Sequence, residues 1–193
     1  RKGNSYSALK SIQDNFPYVD FEIFMLKDSH FELCKGCYTC VLGGEEKCPI
    51  KDNRDMILHK MKAADGLILA SPVYSHMVSA LMKNLFDRFG YYAHRPEFFD
   101  KYAMSMVTCS GYGGDHATQY MDKMLSVFGF NLAPSLELNY KPGRDPESQK
   151  MENEQKIQDG FHDLIAKIRK GDKDKPGLGK LIPFGIFKAI SEA

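Results

Sequence analysis

The sequence lacks the features that mark a protein for nucleic acid or for a lipid bilayer. Its 26 basic residues are balanced by 25 acidic ones, and the net charge of +1 leaves no broad basic surface for a phosphate backbone. It contains no apolar run near the ~20 residues that a membrane-spanning helix needs. We therefore expect neither nucleic acid nor a membrane among its partners.

The 193 residues are enough for one domain with a sizeable core, and 43% of them are hydrophobic. Residues 66–70 form a wholly apolar run, which is typical of a strand buried on both faces of a parallel sheet. Residues 76–89 carry apolar side chains every four positions, which indicates a helix. The same reasoning predicts helices over 5–15, 52–64, 115–128 and 146–170, and strands over 18–26, 102–108 and 130–138. This alternation predicts a doubly wound α/β domain, with a mainly parallel sheet and helices on both faces.

The pattern changes near the C-terminus. We expect the domain to end at residue 170, because residues 170–177 read as a charged linker. Residues 178–190 are apolar again, so we expect residues 171–193 to form an extension that packs on the domain or on a partner subunit. A helix lying on a membrane surface is the alternative, which Pro183 and Gly185 disfavour because they interrupt a continuous helix.

Three loops lie at the edge of the predicted sheet where open α/β folds bind ligands. Residues 1–5 lead into the first helix, whose free N–H groups and dipole favour a phosphate. Residues 71–76 include Tyr74, which can lie against a flat ring. Residues 109–114 include three glycines, which let backbone N–H groups approach a ligand closely. Taken singly, each loop is also explained as a helix cap, a strand-to-helix turn or a glycine-rich turn.

Four segments together resemble the NADPH-dependent FMN reductase family. They are Arg-Lys-Gly-Asn-Ser at 1–5, Cys-x2-Cys-x2-Cys at 34–40, Ala-Asp-Gly-Leu-Ile-Leu-Ala-Ser-Pro-Val-Tyr at 64–74 and Val-Ser-Ala-Leu-Met-Lys-Asn-Leu-Phe-Asp-Arg at 78–88. Within the family, the pattern is similar to the iron–sulfur flavoproteins. The resemblance extends over residues 1–140 and is most specific between 71 and 88. It implies FMN as the cofactor and a flavodoxin-like fold with a five-stranded parallel sheet.

The resemblance also implies a binding site. It assigns the FMN phosphate to Arg1, Asn4 and Ser5. It places the flavin ring near two further loops, whose residues are Pro72, Val73, Tyr74, Ser75 and His76 in the first and Ser110, Gly111, Tyr112 and Gly113 in the second. Family members carry the central strand of the sheet just before the phosphate loop, and without it the neighbouring strands would be unpaired. We therefore expect a first strand of roughly ten residues to be missing from this chain.

Four of the five cysteines lie within fifteen residues, in a loop predicted at 33–50. Such a group is more often a metal site than a disulfide framework. Cys34, Cys37 and Cys40, followed by Cys48, resemble the ferredoxin spacing for a [4Fe–4S] cluster, whereas zinc usually takes two separated pairs of ligands. Thiols without metal and a zinc site are the alternatives. Cys109 lies outside the group and is expected to be a small residue at a strand end.

These features predict an FMN-dependent oxidoreductase or electron-transfer flavoprotein in which FMN carries the chemistry, so no acid–base residue is assigned. NAD(P)H or reduced ferredoxin is the expected electron donor. The alternatives are an NAD(P)H-dependent FMN or quinone reductase without metal, a flavodoxin-like carrier, and a zinc-stabilised binding domain. The resemblance implies a homodimer or homotetramer, and a metal-bearing cysteine loop favours the cytoplasm.

Overall fold

The fold is organised around the strand Tyr102–Cys109, whose eight residues are all buried. A computed structural model describes residues 3–141, 143 and 146–174 of the chain. Along the strand, Ala103 and Val107 face one cluster of buried side chains, and Met104 and Met106 face another. Alternate residues of a strand point to opposite faces, so helices must cover this sheet on both sides.

The described strands form one sheet, parallel in most of its pairings. They are β1 (Gly66–Tyr74), β2 (Met77–Val78), β3 (Tyr102–Cys109), β4 (Asn131–Leu132) and β5 (Leu136–Asn139). β1 runs parallel to β3, from Gly66 opposite Tyr102 to Pro72 opposite Thr108. β4 and β5 also run parallel to β3, whereas β2 folds back antiparallel on the end of β1.

Helices cover both faces of the sheet, as expected. They are α1 (Asn4–Asn15), α2 (Thr39–Gly43), α3 (Arg54–Ala63), α4 (Ala80–Arg88), α5 (Gly114–Phe128) and α6 (Glu147–Lys170). Buried side chains of α1 and α6 share one core cluster, and those of α3, α4 and α5 share the other. Single 3-10 turns lie at Leu26–Asp28, Glu45–Lys47 and Gly90–Ala93. The doubly wound α/β architecture predicted from the sequence is therefore confirmed.

The predicted strand over residues 18–26 is wrong in this structure, which gives that segment no strand pairing. A strand needs a hydrogen-bonded neighbour, and residues 66–72 of β1 pair with β3 alone among the described strands. A cleft of about 1590 Å³ is lined by both residues 18–27 and residues 63–70. The part of this cleft between residues 18–27 and residues 63–70 is the place of the predicted first strand, which stays a prediction, whereas the predicted ligand loops line the end of the cleft beyond residue 70.

Two other boundaries differ from the sequence-based ones. The strand predicted over 130–138 divides into β4 and β5 around Pro134, which has no N–H to donate to a ladder. The helix predicted from residue 76 begins at Ala80, because Ser75 and His76 adopt positive φ and Met77–Val78 pairs with β1. Both differences come from local backbone geometry, which the spacing of apolar residues does not predict.

The described residues end at Asp174, soon after α6. Gly171 follows the helix in the left-handed conformation, and the N–H of Asp174 donates to Asn131 Oδ1 of β4 at 2.8 Å. The rest of the predicted extension, residues 175–193, lies outside the described residues, so its packing on the domain or on a partner stays a prediction. Of the helices described, none combines the length and apolarity needed to cross a membrane.

Candidate functional site

The first loop of the predicted site lies beside the carboxyl end of β3. Gly3 is the N-cap of α1, and Asn4 and Ser5 form its first turn. Ser5 Oγ shares a 2.8 Å hydrogen bond with Thr108 Oγ1 on β3. The free N–H groups of this turn therefore lie at the edge of the sheet where a phosphate would be stabilised by the helix dipole. Arg1, the other predicted phosphate ligand, lies outside the described residues.

The second loop carries unusual backbone geometry. Ser75 and His76 have φ of 49° and 62°, in the left-handed region that costs a non-glycine residue about 1–3 kcal/mol. Tyr74, directly before them, has 64% of its surface exposed. Strained residues of this kind persist where the surrounding structure imposes them, often at a ligand site. An aromatic ring is thus presented to solvent by a constrained loop.

The third loop touches the second through the backbone. A Cβ on Gly113 would lie 2.5 Å from His76 Cα, closer than atoms can approach. Gly113 also has φ of 81°, so glycine is required here both for space and for conformation. Tyr112 is 82% exposed beside it. The two loops predicted to flank the flavin ring are therefore in direct contact.

These loops lie at one end of the cleft, beside the carboxyl ends of β1 and β3. Six of the predicted site residues line the 1590 Å³ cleft, namely Asn4, Ser5, Pro72, Val73, Tyr74 and Ser110. Five others, Ser75, His76, Gly111, Tyr112 and Gly113, do not line it and are joined to it by the contact between the second and third loops. The structure thus brings the described members of the predicted site together, while the identity of the ligand rests on other arguments.

Sequence reasoning missed two residues at this edge. Thr108 holds the first loop to β3, and its signal was a polar residue near the carboxyl end of a mainly apolar strand. Glu137 on β5 places its carboxylate within 2.2–2.6 Å of the position of a Cβ on Gly114, the first residue of α5. A carboxylate already meets that helix start, so α1 is the better place for a phosphate.

The second loop is tied to α4 by two serines. The N–H of Ser79 donates to Ser71 Oγ at 3.0 Å, and Ser79 Oγ accepts from the N–H of Met82 at 3.3 Å. Ser79 is therefore the N-cap of α4. This helix begins beside the second loop, and its side chains contact the cysteine loop further along.

We expect Ser79→Ala to lower the free energy of unfolding by about 1 kcal/mol, because it removes the side-chain cap. Ser126→Ala is the matched control, since the Ser126 hydroxyl is buried with no hydrogen-bond partner in the described structure. Urea unfolding followed by circular dichroism measures both. Equal losses in the two variants would contradict the capping role.

The cysteine loop presents four free thiols with different exposure. Cys34 and Cys37 are exposed, Cys40 is half-buried and Cys48 is buried. Burial raises the pKa of the Cys40 thiol, and the negative charges of the other three thiolates raise it further. The Thr39 hydroxyl donates to Cys37 Sγ at 3.3 Å and lowers the pKa of that thiol. Cys40 is therefore within electrostatic range of each of the other three thiols.

The thiols do not reach metal-ligand spacing in this structure. No three His, Cys, Asp or Glu side chains among residues 3–141, 143 and 146–174 form a group that could hold a metal ion. The donor set nevertheless suits iron–sulfur chemistry, because such clusters are held by cysteine thiolates. Tyr38, between the second and third cysteines, has a positive φ of 58°, so the loop already bends tightly there.

Buried polar side chains hold the start of the cysteine loop. Arg88 on α4 donates to both carboxylate oxygens of Asp52 at 2.6 and 2.8 Å and to the Glu32 carbonyl at 2.8 Å. Asn84 Nδ2 donates to the same carbonyl at 3.0 Å, and Asn84 Oδ1 accepts from the N–H of Cys34 at 2.9 Å. Helix α4 therefore connects the second loop of the cleft to the first cysteine.

The sequence is similar to those of two known proteins. An iron–sulfur flavoprotein of Archaeoglobus fulgidus is 34% identical over 124 residues, which cover 64% of this chain and 54% of that protein. One of Methanocaldococcus jannaschii is 50% identical over 70 residues, which cover 36% of this chain and 35% of that protein. This chain thus matches about half or less of the length of these relatives.

Solved structures agree on the fold. RosB, solved with 8-demethyl-8-formylriboflavin-5'-phosphate, superposes with a TM-score of 0.67 at 16% identity, covering 88% of this chain and 75% of its own. An NADH:FMN oxidoreductase, EmoB, has a TM-score of 0.57 at 16% identity and covers 85% of this chain and 84% of its own. The fold is thus the flavodoxin-like one that the family resemblance implied. The model of the NADPH-dependent FMN reductase family matches residues 1–143, and the chain therefore belongs to that family.

Proposed function

We propose that this protein is an FMN-dependent oxidoreductase that holds FMN in the cleft at the carboxyl edge of β1 and β3. The observation that carries the proposal is the closeness of three loops. The Ser5–Thr108 hydrogen bond holds the first loop to the end of β3, where the third loop begins, and Gly113 of the third loop contacts His76 of the second. The first turn of α1 supplies N–H donors for the phosphate. Tyr74 and Tyr112 supply exposed aromatic faces near the expected ring.

The residues of the chain bind and orient the cofactor. When bound, FMN supplies the hydride and electron chemistry of the reaction. Asn4 and Ser5 hold the phosphate end, and the strained turn at Ser75 and His76 fixes the backbone where the ring would lie. NAD(P)H is the donor that we propose, in keeping with the NADPH-dependent family to which the chain belongs, and reduced ferredoxin is the alternative.

We further propose that Cys34, Cys37, Cys40 and Cys48 hold a [4Fe–4S] cluster. All four are free thiols in one loop, and the N–H of the first, Cys34, is hydrogen-bonded to Asn84 of α4. The two relatives compared above are both named iron–sulfur flavoproteins. The loop has to close further to bind the cluster, because it holds no metal-ligand group as described. A metal-free FMN or quinone reductase is the second candidate. It is favoured by the arrangement of the thiols, which form no metal-ligand group among the described residues.

The visible spectrum and iron content of the anaerobically purified protein test both parts. We expect about one releasable FMN per chain and about four iron atoms, with a broad shoulder that dithionite bleaches. Cys34→Ser and Cys48→Ser should lose the iron and the shoulder but keep FMN. Cys109→Ser is the control for the iron and should keep it, since Cys109 lies on β3 outside the cysteine loop. It is not a control for FMN, because Cys109 lines the cleft.

Other results would separate the alternatives. A colourless protein without FMN would contradict the main proposal, and zinc in place of iron would indicate the zinc-stabilised binding domain. FMN without iron would leave the metal-free reductase, and NADPH oxidation then divides a reductase from a flavodoxin-like carrier. Iron that persists in the serine variants would contradict the assigned ligands.

We also propose that the protein assembles as a homodimer or homotetramer in the cytoplasm. Three apolar side chains of the cysteine loop are largely exposed, with Leu33 at 71%, Tyr38 at 66% and Leu42 at 75% of their surface. These three side chains belong to one loop, and exposed apolar patches mark protein–protein contacts. Light scattering of the purified protein measures the assembly, and a monomer at micromolar concentration would contradict it.

A further inference from the structure

Glu137 of β5 is a half-buried carboxylate that contacts both ends of the third loop. Leu136 and Leu138 face the core cluster that contains α1 and α6, so Glu137 between them points to the opposite face, where α5 lies. The Cys109 thiol, at the start of the third loop, donates to Glu137 Oε1 at 3.5 Å. At the other end of the loop, a Cβ on Gly114 would lie 2.5 and 2.6 Å from the two carboxylate oxygens, so only glycine lets the carboxylate come this close.

The start of α5 carries a partial positive charge beside the third loop. The helix has 15 residues, its N-cap is Gly113, and no side chain caps it by a hydrogen bond. The free N–H groups at a helix start are equivalent to about half an elementary positive charge. The carboxylate of Glu137 lies at this start and therefore neutralises its charge.

No basic side chain among the described residues forms an ion pair with Glu137. Lys156 of α6 is the basic residue whose charge acts on the neighbouring Cys109, but its Nζ binds Glu152 at 2.6 Å. Burial raises the pKa of the Cys109 thiol, and the hydrogen bond and charge of Glu137 act in the same direction, against the N–H of Gly111. The thiol is therefore a neutral donor, and it leaves the negative charge of Glu137 at the third loop.

We propose that Glu137 is a positioning residue of the FMN site, whose negative charge at the start of α5 lowers the reduction potential of bound FMN. This inference rests on the proposed function. The third loop is one of the two loops proposed to flank the flavin ring, and Cys109 and Ser110 at its start line the cleft. Electron uptake adds negative charge to the flavin, so a fixed carboxylate disfavours the reduced state, whereas an uncovered helix start favours it. A lower potential makes reduced FMN the stronger electron donor to its acceptor.

Two other carboxylates serve as matched controls. Asp115 lies in the first turn of the same helix, but 63% of its side chain is exposed, so solvent screens its charge. Asp14 lies in the last turn of α1, about 15 Å along that helix from Asn4 of the first loop, and it is paired with Lys10. Of these three carboxylates, only that of Glu137 contacts both ends of the third loop.

The test compares wild type with Glu137→Gln, Glu137→Asp, Asp115→Asn and Asp14→Asn. The midpoint potential of bound FMN, followed by flavin absorption in an anaerobic spectroelectrochemical titration, and the dissociation constant of oxidised FMN are measured for each. Glu137→Gln keeps the shape of the side chain and an acceptor for the thiol but removes the charge. We therefore expect its reduction equilibrium constant to rise at least tenfold, which is about 30 mV for a two-electron couple. The constants of the other three variants should stay within about threefold of wild type, because Glu137→Asp keeps the charge and the two controls remove only screened charges.

Each outcome decides the proposal. A Glu137→Gln protein with FMN bound at the wild-type midpoint would overturn it, and so would an Asp115→Asn midpoint that rises as far as that of Glu137→Gln. An equal rise in Glu137→Asp would assign the effect to the position of the side chain instead of its charge, and would overturn it as well. Loss of FMN or of the fold in Glu137→Gln also contradicts it, because the proposal leaves the binding of oxidised FMN unchanged. A wild-type protein without FMN overturns the proposed function itself, which distinguishes the two failures.

Discussion

Gly113→Ala is expected to weaken FMN binding at least tenfold, equivalent to about 1.4 kcal/mol. The added Cβ would lie 2.5 Å from His76 Cα and 2.9 Å from the His76 carbonyl carbon. Backbone atoms cannot rotate away as a side-chain end can, so the second and third loops must separate. The same substitution strains a residue whose φ is 81°. Both loops proposed to flank the flavin ring would be displaced together.

Gly111→Ala is the matched control, because Gly111 also has a positive φ, of 127°, but its added Cβ would meet nothing within 4 Å. It therefore introduces backbone strain in the same loop without the clash. Fluorescence titration of the apoprotein with FMN measures both dissociation constants. A Gly113→Ala protein that binds FMN as tightly as Gly111→Ala would show that the contact between the loops does not shape the site.

The second large effect concerns the buried pair Asp52–Arg88. Their side chains have 0% and 1% of their surface exposed, and the two groups meet through two hydrogen bonds. Asp52 also accepts the N–H of Glu32 and of Arg54. We expect Asp52→Asn to lower the free energy of unfolding by about 3–5 kcal/mol, because it leaves the Arg88 charge buried without its counter-ion.

The pair also predicts how stability depends on pH. Burial by itself would raise the pKa of Asp52, but hydrogen bonds from Arg88 and from two backbone N–H groups hold it below its usual value. A carboxyl whose pKa is lowered by folding stabilises the protein above its unfolded pKa of about 3.9 and loses that contribution as pH falls through the folded value. In Asp52→Asn, the free energy of unfolding should therefore fall less steeply as the pH is lowered through this range.

Unfolding in guanidinium chloride between pH 7 and pH 2 measures both effects. Asp87→Asn is the control, since the Lys83–Asp87 pair is exposed and is worth about 0.3–0.5 kcal/mol. The double variant Asp52→Asn with Arg88→Met should recover part of the loss, because it removes the unpaired cation as well. Equal stability of Asp52→Asn and Asp87→Asn would rule out the buried pair as an anchor of the cysteine loop.

Local signals in the sequence were enough for most of the architecture. The apolar run at residues 66–70 predicted β1, and the periodicity of residues 115–128 predicted α5 within one residue of its observed start. The glycine-rich and Ser-Pro-Val-Tyr loops were placed correctly at one edge, because successive parallel strands end on the same side of a sheet. These features depend on residues that lie close together in the sequence.

Features that depend on distant partners were not predictable in this way. Residues 18–26 have the composition of a strand, yet a strand forms only where a neighbour offers hydrogen bonds, and the described structure has a cleft there. Likewise, the sequence around Arg54 does not predict that its guanidinium is buried and donates to the carbonyl of Glu45. The spacing of the four cysteines predicted one metal centre, but it did not predict that no three of the described side chains form a group that could hold a metal ion.

The sequence by itself determined the alternation of strands and helices, the three loops and the cysteine motif, because side-chain periodicity and turn residues act locally. Only the tertiary structure decided that Ser5 meets Thr108, that Gly113 meets His76, and that Arg88 meets Asp52 beneath the cysteine loop. Each of these contacts joins residues of different elements. Their distances are set by how helices and strands pack together, which no single segment of the chain encodes.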